Sequence, residues 1–466
     1  MSQSILMIML RLFLNRFPNA PIKQTLKKRK NMNANKTFKR VNRNGKQFNL
    51  LTLPNTNFFE FEIINLYGSN IERVVESKTG KNLYGISHFI EHLSFKSTKD
   101  FTSEEIMDIT NNKGSCNAST SHDRINYWFR TTMSNIDIAI KFVCNVSEND
   151  LVKLNQKEFD TEKDVVYNEA KKAWDSHQAM FYRNAKTKLL GYAKEDNNIG
   201  VPETIKTFTL EDAIAVKNIF LNHDNYHYNI IYDNTLMSED EVIEKIEKEL
   251  ARFEVTSSSI FDINDIDYNK GLKYPTNREL KLESESKQAM TNLIIDGIDN
   301  TLVTDATLRY LARLADDTSL NELIREKNGL TYGISFYTKI ISYRPYISFD
   351  CDVTVGKETK LLELFNESIN LSANSFDREK YNKYMDTRGL KRTLSNLDLT
   401  AHDIWSWYNY RASHELDEFR DALAKNIDDG YNYMDNQIVT YEAMNNSIQK
   451  IRSLVNDGAF AKVSTH

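Results

Sequence analysis

From Leu50 to Glu72 the chain reads "LLTLPNTNFFEFEIINLYGSNIE", two short runs in which apolar and polar positions alternate, with Pro54 and Asn55 between them. Period-two alternation broken by a turn dipeptide predicts two strands paired with each other. "GISHFIEHLSFKST" follows with helical spacing. "FTSEEIMDITNNKG" opens on a Thr102/Glu105 capping box, in which each side chain accepts from the other residue's backbone N–H, and it closes at Gly114. "SCNAST" and "RINYWFRTT" predict strands. After them "NIDIAIKFVCNVS" leads into a long helical stretch through "TEKDVVYNEAKKAWDSHQAMFYRNA", a strand at "HYNIIYD" and a charged amphipathic helix at "SEDEVIEKIEKELARF".

These elements complete an α+β unit near residue 253. Residues 254–280 hold no sustained period and carry Ser, Asn, Gly and Pro, as a linker does. Beyond it come a strand at "AMTNLIIDGI", helices at "TDATLRYLARLAD" and "SLNELIREKNG", the second ending at Gly329, and a strand pair at "YGISFYTKI" and "YISFDCDVTV". The order of helix, turn and strand pair repeats that of the first unit, which predicts a divergent internal duplication. The expected organisation is a basic N-terminal segment at 1–44, a first domain at 45–253, a linker at 254–280 and a second domain at 281–466.

Composition changes this picture little. A chain of 466 residues with 40% apolar, 11% aromatic and 27% charged side chains can fill two or three cores. Sixty basic against sixty-five acidic residues give a net charge of -5, no reason to expect nucleic acid or an anionic membrane as a partner. No apolar run reaches the roughly 18–20 residues of a membrane span. Cys116, Cys144 and Cys351 lie far apart, so neither a disulfide framework nor a thiolate metal site is expected. The N-terminus stands out: residues 1–59 lack Asp and Glu, and "LKKRKNMNANKTFKR" concentrates basic residues. "SILMIMLRLFLNRF" fits the amphipathic part of a mitochondrial transit peptide. "KRKNM" before Met32 equally fits an in-frame ribosome-binding site, and the reading favoured here is a start at Met32, a translated leader at 1–31 and a cytoplasmic protein of bacterial or viral origin.

The chemistry concentrates in "GISHFIEHLSFKST". On a helix His88 and His92 share a face at i and i+4, with Glu91 beside them. Two imidazoles on adjacent turns can bind one zinc ion, and a carboxylate between them can take a proton from water. The same residues also fit an ordinary helix with a polar face.

The chain resembles the pitrilysin/insulinase family of inverted (HxxEH) zinc metallopeptidases, which includes the two-domain mitochondrial processing peptidase. In that family a glutamate ligand follows HxxEH after 76 residues; here residues 93–168 intervene and the next is Glu169, within "EKDVVYNEA". The resemblance implies that His88, His92 and Glu169 bind one Zn2+ per chain, that Glu91 is the general base, and that Glu162 supports the site from behind. "GSCNAST" is similar to the family's edge-strand segment, which assigns substrate contacts to Asn117 and Ala118. "LIREKNGLTYG" resembles the segment whose Arg and Tyr reach substrate, here Arg325 and Tyr332. The chain departs from the pattern at "ADDTSLNEL", where glycines are usual, and at "FKST" in place of "FKGT".

The implied fold is α+β, two homologous domains, each a mostly antiparallel sheet with helices packed on one face. The second domain is an inactive copy, because its helix at "TSLNELIREK" has no histidine pair. The implied function is a zinc-dependent endopeptidase acting on unfolded peptides or flexible precursor segments. It would work as a homodimer in which Arg325 and Tyr332 complete the partner's site; a noncatalytic subunit of the same family is the alternative.

Overall fold

The computed structural model describes residues 36–122, 124–190, 197–221, 223–253, 278–282, 288–298, 301–313, 318–341, 344–395, 425 and 433–465. The leader expected at 1–31 and most of the expected linker, 254–277, lie outside the described residues.

Two sheets organise the chain. The first contains β1 (Phe38–Arg43), β2 (Lys46–Thr52), β3 (Phe58–Asn65), β4 (Ser115–Thr120), β5 (Ile125–Thr132) and β6 (Tyr226–Tyr232), in the order β1-β2-β6-β3-β5-β4. The second contains β7 (Arg278–Leu282), β8 (Gln288–Ile295), β9 (Ile334–Ile341), β10 (Arg344–Thr354) and β11 (Phe460–Thr465), in the order β7-β11-β8-β10-β9. Within the first sheet β2 and β6 are parallel, within the second β7 and β11, and every other pairing is antiparallel. Aligned from β2 and from β7, the two sheets share strand order and direction, which is the duplication written in hydrogen bonds.

One expectation is corrected. The strands either side of Pro54-Asn55 do not pair with each other, because β6 lies between them. The turn is held to the end of β6 by Asp233, whose carboxylate accepts from the backbone N–H of Asn55, Thr56 and Asn57 at 2.8–2.9 Å. The connection therefore crosses the end of β6 instead of closing a hairpin. β1 belongs to the first sheet although it lies in the basic N-terminal segment, and β7 begins inside the range expected for the linker.

Strand alternation separates the faces of the first sheet. Phe59, Phe61 and Ile63 of β3 and Tyr127 and Phe129 of β5 pack with Phe89, Phe142 and Phe159 from the helices in one buried cluster. The opposite face carries Glu60, Glu62, Asn126 and Asn229, also buried. Phe38, Leu51 and Ile231 of that face join the core of the second sheet. Among the described residues no helix is long and apolar enough to cross a membrane.

Candidate metal centre

The helix Ile86–Ser94 turns its polar stripe outward because its apolar stripe is committed: Ile86, Phe89, Ile90 and Leu93 are all fully buried. Its first turn has no side-chain cap of its own. Buried Glu72 supplies one, accepting from the N–H groups of Gly85 and Ser87 at 2.9 Å each. Gly85 has φ 98°, and a Cβ there would meet the Cα of Gly200 at 2.6 Å, so the chain must be glycine at this crossing.

The second contributor is the helix Gln156–Asp175, started by an Asn155/Glu158 capping box. Its buried residues Phe159, Glu162, Val166 and Ala170 face the histidine helix, with the Phe89 and Phe159 rings 5.2 Å apart. Trp174 near its end donates to the carbonyl of Gly200 at 2.7 Å, which ties this helix to the turn resting on Gly85.

This packing brings three donors together. Nε2 of His92 lies 3.5 Å and Nε2 of His88 3.9 Å from Oε2 of Glu169, and one donor atom from each of the three lies within 4.8 Å of the others. Zinc bonds of about 2.0–2.2 Å place tetrahedral ligands roughly 3.3 Å apart, so a small inward shift of these side chains would hold one ion. Burial and the neighbouring His92 push the His88 imidazole down to about 4, keeping it neutral, as a metal donor must be. The donor set therefore fits zinc.

The supporting residues act on His92 and Glu91. Glu162 Oε1 takes the Nδ1 side of His92 at 2.8 Å, and its other oxygen accepts from Lys96 Nζ at 2.6 Å. Burial opposes the charge on Glu162, but the hydrogen bonds from His92 and Lys96 prevail and hold its carboxyl below the usual range. For His92 burial works downward, yet the hydrogen bond and charge of Glu162, with Glu91 and Glu169, raise it overall. Fixing Nδ1 leaves Nε2 aimed at the metal position. His88 has no such support: its Nδ1 is buried without a hydrogen-bond partner among the described residues. Glu91 accepts from the Thr120 hydroxyl at 2.6 Å, and burial raises its carboxyl despite that bond.

Thr120 ends β4, an outer strand of the sheet among the described residues, which puts the edge carrying Asn117 and Ala118 beside the histidine helix. Asn117 is exposed, and its Oδ1 accepts from the N–H of Ala118 at 2.9 Å. Cys116 is partly buried, with its thiol pushed up to about 11 by burial, which leaves it unreactive.

Arg325, in the helical turn Asn321–Lys327, and Tyr332 form a pair of their own, the guanidinium 5.3 Å from the ring centre. Tyr332 is 91% exposed. Neither makes a hydrogen bond, ion pair or ring contact with the histidine cluster among the described residues.

Lys96, Thr120 and Glu72 were not singled out by sequence reading. Lys96 was within reach, four residues after His92 and just past the end of its helix. Thr120 and Glu72 act across strand and loop contacts that leave no local pattern.

Residues 78–202 match the model of a family described as insulinase, peptidase family M16, and residues 237–387 match that of the peptidase M16 inactive domain. Together the two matches take in more than half of the chain. An uncharacterized zinc protease of Rickettsia bellii is 23% identical over 308 residues, 63% of this chain and 68% of the relative. The zinc protease PqqE of Helicobacter pylori is 28% identical over 187 residues, 39% of this chain and 40% of the relative. Among solved structures, a protease from Helicobacter pylori superposes with a TM-score of 0.69 at 18% identity, covering 92% of this chain and 100% of that one. Pitrilysin superposes at 0.66 and 13% identity, covering 92% of this chain and 44% of that one.

Proposed function

The chain belongs to the insulinase family of peptidases, M16, and on that premise we propose that it is a zinc-dependent endopeptidase of unfolded peptides or flexible precursor segments. The observation that carries this reading is the convergence of His88, His92 and Glu169 on one point, with Glu91 between the histidines and an open strand edge beside them. The names of the Rickettsia and Helicobacter relatives support zinc as the metal.

Bound zinc would polarise the attacking water and the scissile carbonyl. The chain's own residues do the rest. Thr120 holds one oxygen of Glu91, which leaves the other free to take the proton from water and return it to the leaving amine. The raised carboxyl of Glu91 suits it to both halves of that transfer. A peptide laid along β4 adds a strand to the sheet, and Asn117 would release Ala118 N–H to it.

Hydrolysis of a quenched peptide tests the reading: cleavage by the wild type, blocked by a chelator, should fall by about 10³-fold or more in Glu91→Gln, as loss of a general base demands. Cleavage unchanged by Glu91→Gln would refute it. No cleavage by a zinc-loaded wild type would favour the alternative of a noncatalytic subunit.

A further inference from the structure

Among the described residues strand β4 is open along one edge, but only for part of its length. Its register with β5 includes a hydrogen bond from Ser121 N–H to the carbonyl of Arg124 at 2.8 Å. Counting back in twos, Ser119, Asn117 and Ser115 also turn their main-chain groups toward β5. Cys116, Ala118 and Thr120 therefore turn theirs toward the free edge, where a peptide would pair.

At Thr120 that edge is already taken. Asn198 Nδ2 donates to the carbonyl of Thr120 at 3.3 Å. Its amide is oriented by Ser69, a buried residue whose hydroxyl donates to Asn198 Oδ1 at 2.8 Å. Just beyond, Ser69 N–H and Asn70 N–H bond the carbonyls of Ser121 and His122 at 3.1 and 2.8 Å. The turn bearing Asn198 is itself pinned, through the Gly200–Gly85 crossing and Trp174. An added strand would run about 4.8 Å from β4. An amide nitrogen 3.3 Å from Thr120 O stands inside that layer.

The closure falls level with Glu91, because the Thr120 side chain holds Glu91 while its carbonyl is held by Asn198. We infer that Asn198 is a specificity-determining stop: it ends strand pairing at the general base, so that a bound peptide is read by main-chain hydrogen bonds on one side of the scissile bond only. The inference rests on the peptidase reading above. Cys116 and Ala118 supply the pairing groups on the read side. On the other side the peptide must leave the sheet, and its length there contributes little.

The test is a series of quenched peptides lengthened one residue at a time on either side of the cut. In the wild type kcat/KM should climb with length on one side, on the order of 2- to 10-fold for each main-chain bond gained, and stay flat beyond the first residue on the other. In Asn198→Ala the flat side should gain one such step, from the single residue that can then pair with Thr120, and stay flat beyond it, where Ser69 and Asn70 still hold the carbonyls of Ser121 and His122, while the read side keeps its profile. Equal gains on both sides in the wild type would overturn the inference. So would superposable profiles in wild type and a folded, zinc-loaded Asn198→Ala. Binding of the same peptides to Glu91→Gln, followed by fluorescence anisotropy, reads strand pairing without turnover. A failure of the hydrolysis reading is thereby separated from a failure of the stop.

Discussion

Lys96 shows how much of this centre depends on single side chains. Its ammonium holds the far oxygen of Glu162, and Glu162 holds His92, so a partly buried lysine sets the direction of the proposed metal donor two contacts away. Removing partners of this kind typically costs 10- to 100-fold in metal affinity. Lys96→Ala should therefore bind zinc at least about tenfold more weakly in a chelator competition, and Lys96→Arg should recover most of the loss. Equal affinity in wild type and Lys96→Ala would show that Glu162 needs no anchor. At this scale the sequence was legible where partners are neighbours in the chain. His88, Glu91 and His92 declare themselves by helical spacing. Glu169 meets them only after two helices have packed, so the resemblance supplied it and periodicity could not. Thr120 and Glu72 were missed for the same reason.

Among the elements, β3 carries the most unusual charge. Glu62 is buried on the sheet face away from the helices, accepting from Asn229 and Asn126 at 2.8 and 2.7 Å. Burial pushes its carboxyl up to about 7 against the pull of those two bonds, and Glu60 adds to the rise. An acid raised in the folded state holds a proton that the unfolded chain gives up near 4.5. Its contribution is therefore fully present below about 4.5, falls as the pH rises towards 7, and is constant above. The stability of wild type relative to Glu62→Gln should fall by on the order of 3 kcal/mol from pH 4.5 to pH 7. Denaturant melts at a series of pH values would show it, and parallel pH curves for the two proteins would contradict it. Alternation predicted β3 well, with its apolar residues on one face. It could not reveal that β6, from some 160 residues further on, would come between β2 and β3. Asp233, which pins the connecting turn to β6, meets that turn only in the fold. The capping box at Thr102, by contrast, is complete within four residues, and the helix begins where it says.

Across the whole molecule, the repeated strand order shows one architecture used twice, with the His88/His92 pair in the first copy. Residues 288–354, which hold β8, β9 and β10 and the helices between, contain no histidine. Arg325 and the 91% exposed Tyr332 lie in the second copy, outside the His88/His92/Glu169 cluster. We propose that they complete the site of a second subunit. Mixing Arg325→Ala with Glu91→Gln should then restore partial activity from two inactive parents, and no recovery would count against a shared site. The duplication was visible in sequence as a repeated order of elements, but its proof lies in the matched pairings of β2-β6-β3-β5-β4 and β7-β11-β8-β10-β9. Beneath all of this stands the proposed zinc centre, and the most direct measurement is the zinc content of the purified full chain. One zinc per chain is predicted in wild type and in Glu91→Gln, falling well below one in folded His92→Ala and Glu169→Gln. A wild type that takes up no zinc, or His92→Ala and Glu169→Gln that keep a full equivalent, would contradict it.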